Sequence, residues 1–262
     1  MDYQTLELER AGSITTVWMN RPERHNAFDE TLIVELTDAF RVLYQDAGTR
    51  VIVLAGRGKS FSAGADLAWM RRAAGYSVDE NLRDARALAD MLRTIDRTQK
   101  PTVARIHGAA LGGGTGLACV CNVAIASTEA SFATTEVKFG LVPATIGPYV
   151  VRALGERAAM RYFLTGERFD ASEARRVGMV HEVCAPAALD ERVRSMAESL
   201  LGGGPEAQAA AKALLRRLVH RSIDGVVIEE TAQCIANLRA KPEAKEGIAA
   251  FLDKRKPRWL DT

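Results

Sequence analysis

Ser62-Ala63-Gly64-Ala65-Asp66-Leu67 and Leu111-Gly112-Gly113-Gly114 are the two stretches from which the rest of this chain can be read. The first follows an apolar run, Val51 to Ala55, with the character of a buried strand. The second follows Pro101 to His107, also strand-like, and leads into Leu117 to Val123, an apolar run that reads as a helix. Strand, glycine turn and helix in that order leave backbone N–H groups free at a helix N-terminus, where negative charge is favoured. Two such turns brought face to face make a two-donor oxyanion hole. Each donor of that kind is worth roughly 3 kcal/mol of transition-state stabilisation.

Outward from these turns, strands and helices alternate. Leu6 to Leu8 and Ile14 to Met19 read as a hairpin around Ala11-Gly12. Asp29 to Leu43 carries apolar residues at helical spacing (Leu32, Ile33, Leu36, Phe40, Leu43), and Asp79 to Arg97 reads as a long helix. Thr102 to Ile106 and Val123 to Ala126 read as strands. Alternation with crossovers through residue 145 predicts an α/β domain. From Glu156 onward the pattern turns helical, with Ser172 to Arg176, Ala188 to Leu200, Glu206 to Leu218 and Ile223 to Leu238 in succession. A core over 1–190 and a helical region over 191–262 are expected.

The 262 residues, 47% hydrophobic and 26% charged, suit one sizeable core with such an appendix. A net charge of +2 is too small to argue for nucleic acid, so the basic cluster Lys254 to Arg258 reads as a solvated tail or a local phosphate contact. No apolar run approaches a membrane span, and the acidic Met1-Asp2-Tyr3 does not read as a signal peptide, which makes the cytoplasm the expected compartment. Cys119, Cys121, Cys184 and Cys234 fit reduced core residues. The four histidines form no ligand-spaced pair, so neither a metal nor a cofactor is expected.

Three other motifs fail. Gly58-Lys59-Ser60 lacks the leading glycine of a P-loop, since position 53 is Val. Gly112, Gly114 and Gly116 are no dinucleotide fingerprint, because Leu117 stands in the third glycine's place. A nucleophile elbow, Gly-x-Ser-x-Gly, is absent.

Phe61 to Leu67, Gly108 to Gly114 and Glu136 to Pro143 resemble the three signature stretches of the enoyl-CoA hydratase/isomerase (crotonase) superfamily. The resemblance runs from Asn20-Arg21-Pro22 to Phe251-Leu252-Asp253-Lys254-Arg255. Within it, Ala65 to Met70 and Gly147 to Ala158 are most similar to bacterial 3-methylglutaconyl-CoA hydratases of leucine degradation. It implies a spiral of ββα units with a C-terminal helical region that builds a homotrimer or a dimer of trimers. The substrate it implies is an acyl-CoA thioester, with coenzyme A as part of the substrate.

By the same resemblance, the N–H groups of Ala65 and Gly113 stabilise the thioester oxygen, and Glu136 is the family's second acid/base glutamate. Glu136 also lies in an otherwise uncharged stretch, Ala133 to Val137, where burial would raise its pKa. Arg24 and His25, the backbone of Ala63, Gly64, Asp66 and Leu67, and Phe251 with Lys254 are implied to hold CoA. Arg71, Arg72 and Lys138 are candidates to meet a second carboxylate on the acyl group. The departure is Gly116. It stands three places after Gly113, where two-glutamate hydratases carry their first glutamate. Three readings stay open: a hydratase using Glu136 for both proton transfers, an isomerase with one base, and a non-catalytic acyl-CoA-binding protein.

Overall fold

The computed structural model describes residues 2–260. Met1, at the head of the acidic N-terminal reading, and residues 261–262, at the end of the expected helical region, lie outside the described residues. The strands are β1 (Leu6–Ala11), β2 (Ile14–Met19), β3 (Val51–Gly56), β4 (Thr102–Ile106), β5 (Ala109–Leu111), β6 (Val123–Ser127), β7 (Ser131–Ala133), β8 (Phe169–Asp170) and β9 (Glu182–Cys184). The helices are α1 (Glu30–Gln45), α2 (Leu67–Ala73), α3 (Val78–Arg97), α4 (Gly113–Val120), α5 (Gly147–Leu154), α6 (Glu156–Thr165), α7 (Ala171–Arg176), α8 (Leu189–Leu201), α9 (Pro205–Leu218), α10 (Gly225–Ala240) and α11 (Pro242–Leu252).

The expected hairpin forms, with Leu6 opposite Met19 and Ala11 opposite Ile14. From β2 the pairing turns parallel, giving one six-stranded sheet in the order β1-β2-β3-β4-β6-β9. Every residue of β3 is buried, because helices cover both faces of a parallel sheet. Its alternate side chains divide between two cores. Ile52 and Leu54 join Leu32, Leu36 and Phe40 of α1 and Met91, Leu92 and Ile95 of α3. Val51 and Val53, with Val103 and Ile125, pack against Leu189, Val193 and Ala197 of α8. The expected boundary at residue 190 therefore falls inside a helix that covers the main sheet.

A second, three-stranded sheet has the order β5-β7-β8. Isolated parallel bridges, Ser62 to Ala110 and Phe28 to Ala65, extend it into the loops. The structure corrects the sequence reading here. Helix α4 starts at Gly113 rather than Leu117 and ends at Val120, leaving Cys121 as an extended cap residue. Burial of Gly114 to Val120 outweighs the poor helix propensity of three glycines. Burial also pushes the Cys119 and Cys121 thiols up to about 12.

Helices α9, α10 and α11 bury little: Val227 and Ala250 are their fully covered apolar residues. Leu215, Ile223, Phe251 and Leu252 stay exposed. The region is tied back by polar contacts instead. Arg50 donates to the carbonyls of Gly203 (2.6 Å) and Trp259 (3.0 Å), and Lys212 Nζ donates to Lys100 O (2.7 Å). Among the described residues no helix is long and apolar enough to cross a membrane, and no group of three or more His, Cys, Asp or Glu side chains is placed to hold a metal ion.

Candidate active site

Four segments run side by side to build the site. Ala63 N–H donates to His25 O (2.9 Å), Phe28 N–H to Gly64 O (2.7 Å) and Asp66 N–H to Phe28 O (2.8 Å). On the other edge, Ser62 N–H donates to Ala109 O (3.0 Å) and Leu111 N–H to Ser62 O (2.9 Å), while Gly112 N–H donates to Ala133 O (2.8 Å). Glycine is required where these segments touch. Gly64 sits at φ +89°, and a Cβ there would lie 2.9 Å from Leu111 O. The two glycine loops thus pack backbone to backbone, and a Cβ on Gly113 would lie 2.7 Å from the Phe28 ring.

These bonds aim two N–H groups. In a trans peptide the C=O and N–H point opposite ways. Gly64 O faces Phe28 N–H, so the Ala65 N–H points away from that segment. Gly112 O accepts from Gly116 N–H (3.2 Å), so the Gly113 N–H points out of the N-terminus of α4. Neither N–H has an acceptor among the described residues. The preceding glycines are in contact, since a Cβ built on Gly112 would lie 3.9 Å from Gly64 Cα. Two donors at neighbouring loop tips, one at a helix N-terminus, favour a negatively charged oxygen between them.

Glu136 opens the short 3-10 turn Glu136–Phe139 that follows β7. A Cβ built on Gly112 would lie 3.1 Å from its Oε1. Its Oε2 is buried with no hydrogen-bond partner, and burial raises the carboxyl pKa above its ordinary value. A largely buried carboxylate with a raised pKa and one oxygen free of partners can both accept and deliver a proton.

Gly116 is buried within α4, and a Cβ there would lie 2.9 Å from Ile146 Cβ, with Cγ2 closer still. Ile146, itself 2% exposed, fills the volume that a side chain at 116 would need. Sequence reasoning missed Ile146, which precedes α5 and carries no local sign of its contact with α4.

Comparison with known proteins gives the family. The family model described as enoyl-CoA hydratase/isomerase matches residues 9–262. The chain belongs to this family. An enoyl-CoA hydratase from Shewanella pealeana superposes with a TM-score of 0.95 at 40% identity, over 98% of this chain and 96% of that one. An enoyl-CoA hydratase from Mycobacterium smegmatis gives 0.91 at 34% identity, over 98% and 99%. A crotonyl-CoA hydratase from Syntrophomonas wolfei is 32% identical over 99% of both chains.

The other family-motif residues are placed as follows. Arg24 and His25 are exposed at the end of the turn Pro22–Arg24. Both His25 and Asn26 have left-handed backbone (φ 51° and 52°). Asn26 holds them there, its buried amide donating to the carbonyls of Arg57 (2.9 Å) and Ser60 (2.8 Å). Ala63 is half-buried and Leu67 exposed, flanking Gly64. The Asp66 carboxylate caps α2, accepting from Ala68 and Trp69, and pairs with Arg21; despite burial, these partners hold its pKa below the usual carboxylate range.

Arg72 is paired with Glu30 at 2.7 Å on the surface, while Arg71 beside it is exposed. The stem of Lys138 lies along Gly166 at the end of α6. Phe251 is 81% exposed at the end of α11, and Lys254 follows with left-handed backbone. Two clefts of about 430 and 410 Å³ lie elsewhere, beside Arg50 and Lys100 and beside Arg105 and His107.

Proposed function

We propose that this chain is a lyase that hydrates a 2-enoyl-CoA thioester, using Glu136 alone for proton transfer. The observation that carries the reading is the Glu136 carboxyl beside Gly112, its buried Oε2 without a partner, next to two N–H groups without acceptors. The thioester oxygen accepts from Ala65 and Gly113 N–H. As water attacks C3, the C2=C3 electron pair moves toward the carbonyl, and that oxygen gains enolate charge. Glu136 takes the proton released by the attacking water and returns it to C2, so the elements of water add across the double bond. The raised pKa suits both halves of this cycle near neutral pH.

The removal of side-chain volume at 116 by Ile146 supports a second reading, isomerisation of a 3-enoyl to a 2-enoyl thioester, since moving one proton between carbons needs one base. Absorbance of the conjugated thioester separates the readings. It falls on hydration, rises when a 3-enoyl substrate is conjugated, and does not change for a protein that only binds acyl-CoA.

For the acyl group we propose a branched dicarboxylic chain of the 3-methylglutaconyl type. Arg71 and Arg72 on α2 support this. The Arg72–Glu30 pair is half exposed on both sides and screened by solvent, so a substrate carboxylate can replace Glu30. A substrate panel including crotonyl-CoA and 3-methylglutaconyl-CoA tests this. The exposed apolar residues of α9 to α11 support a homotrimer or dimer of trimers, with Phe251 and Lys254 closing a CoA site.

A further inference from the structure

We propose that Arg21 is the positioning residue that aims the Ala65 N–H, an inference that rests on the thioester reading above. The Arg21 side chain is 14% exposed and spans two loops. One terminal nitrogen lies 2.8 Å from Asp29 Oδ2 and 3.2 Å from Asp66 Oδ2, and the other donates to Ala27 O at 2.5 Å. Asp29 caps α1 through Leu32 N–H, and Asp66 caps α2 through Ala68 and Trp69 N–H. A single guanidinium therefore ties together the caps of two helices.

Those contacts bracket the bridge that sets the donor. Arg21 grips Ala27 and Asp29 on either side of Phe28, and Asp66 immediately after Ala65. Phe28 accepts from Asp66 N–H and donates to Gly64 O, which fixes the plane of the Gly64–Ala65 peptide. Helix α2 buries none of its residues fully; Trp69 packs partly against the core and donates to Asp84, so the first turn of the helix, where Asp66 sits, depends on the Arg21 clamp for its hold on the 27–29 segment. Loss of the guanidinium leaves the two backbone bonds of Phe28 to hold that plane without the clamp on either side, and the Ala65 N–H tilts with any play in them. Lysine cannot replace the fork, because one ammonium cannot stand where both terminal nitrogens do, so either the carboxylates or the Ala27 carbonyl loses its donor.

A role limited to joining helix caps would lower thermal stability and nothing else. The discriminating readout is the absorbance of an aryl-conjugated enoyl thioester, cinnamoyl-CoA, bound to the full chain, because polarisation of its carbonyl shifts the band to the red. Wild type is expected to show the shift. Arg21→Lys is expected to bind within about threefold of wild type yet lose more than half of the shift, with kcat at least ~10-fold lower and the pH midpoint of turnover unchanged. If Arg21→Lys does not fold, Asp66→Asn carries the same test, since its amide oxygen still caps α2 while its charge is gone. A full red shift and wild-type kcat in the folded variant overturns the assignment, whatever the loss of melting temperature. Absence of the shift in wild type overturns the thioester reading itself, and the role of Arg21 with it.

Discussion

The contact between Gly116 and Ile146 offers the sharpest energetic test of the one-carboxylate site. Gly116 is helical and not left-handed, so the backbone accepts Ala, and helix propensity favours the change by about 1 kcal/mol. The added Cβ, however, would lie 2.9 Å from Ile146 Cβ and nearer to Cγ2, which no packed interior tolerates without movement. Overpacking of this kind costs about 1–3 kcal/mol, so Gly116→Ala should be destabilising by up to ~2 kcal/mol despite the better helix former. Ile146→Ala alone empties part of the core and costs about 2–5 kcal/mol. Together the two changes should cost at least ~1 kcal/mol less than their sum, because removal of Cγ2 makes room for the new methyl. In a chain of this size each kcal/mol moves the melting temperature by roughly 2–4 °C. Denaturant unfolding followed by circular dichroism, at one fixed protein concentration, measures the cycle. Strict additivity, or a Gly116→Ala protein more stable than wild type, would refute the claim that Ile146 excludes a side chain at 116.

Burial raises the Glu136 pKa above its unfolded value, so the folded chain holds that proton more tightly; the stabilising contribution is complete at low pH and is lost as pH rises through the folded pKa. Glu136→Gln should therefore melt at or above the wild-type temperature near neutral pH, with the difference shrinking toward about pH 4, as read by calorimetry across pH. A dicarboxylic enoyl-CoA should exceed crotonyl-CoA in kcat/KM, because the shorter acyl group has no carboxylate to meet Arg71 or Arg72 on α2; equal constants would exclude that acyl class. Cutting the chain after Ala250 should raise KM for acyl-CoA without changing the pH profile set by Glu136, since it removes the exposed Phe251 and Lys254; an unchanged KM would remove both from the CoA site.

The main sheet was legible because its strands announce themselves: β3 is an uninterrupted apolar run, and the apolar spacing of α1 names the residues that are buried. The second sheet was not. Strands β5, β7 and β8 have two or three residues each, and their pairing is set by contacts distant in sequence, such as Ala109 with Ser131. Helix α2 carries no buried stripe to reveal it, and α4 begins on glycines that propensity places outside a helix. At the site, the uncharged surroundings of Glu136 foretold its raised pKa. The partners of Arg21, Arg72 and Gly116 could not be foreseen, since Asp66, Glu30 and Ile146 meet them only in the folded chain.

The central claim is that one carboxylate, Glu136, carries both proton transfers of hydration between two backbone donors. Turnover of a 2-enoyl-CoA by the Glu136→Gln variant, followed as loss of the conjugated thioester absorbance beside wild type, tests it most directly. The amide keeps the shape of the side chain but can neither take the proton from water nor return it to C2. The account predicts a folded protein that still binds acyl-CoA and has lost at least ~10²-fold in kcat. A Glu136→Gln protein that hydrates at the wild-type rate would contradict it.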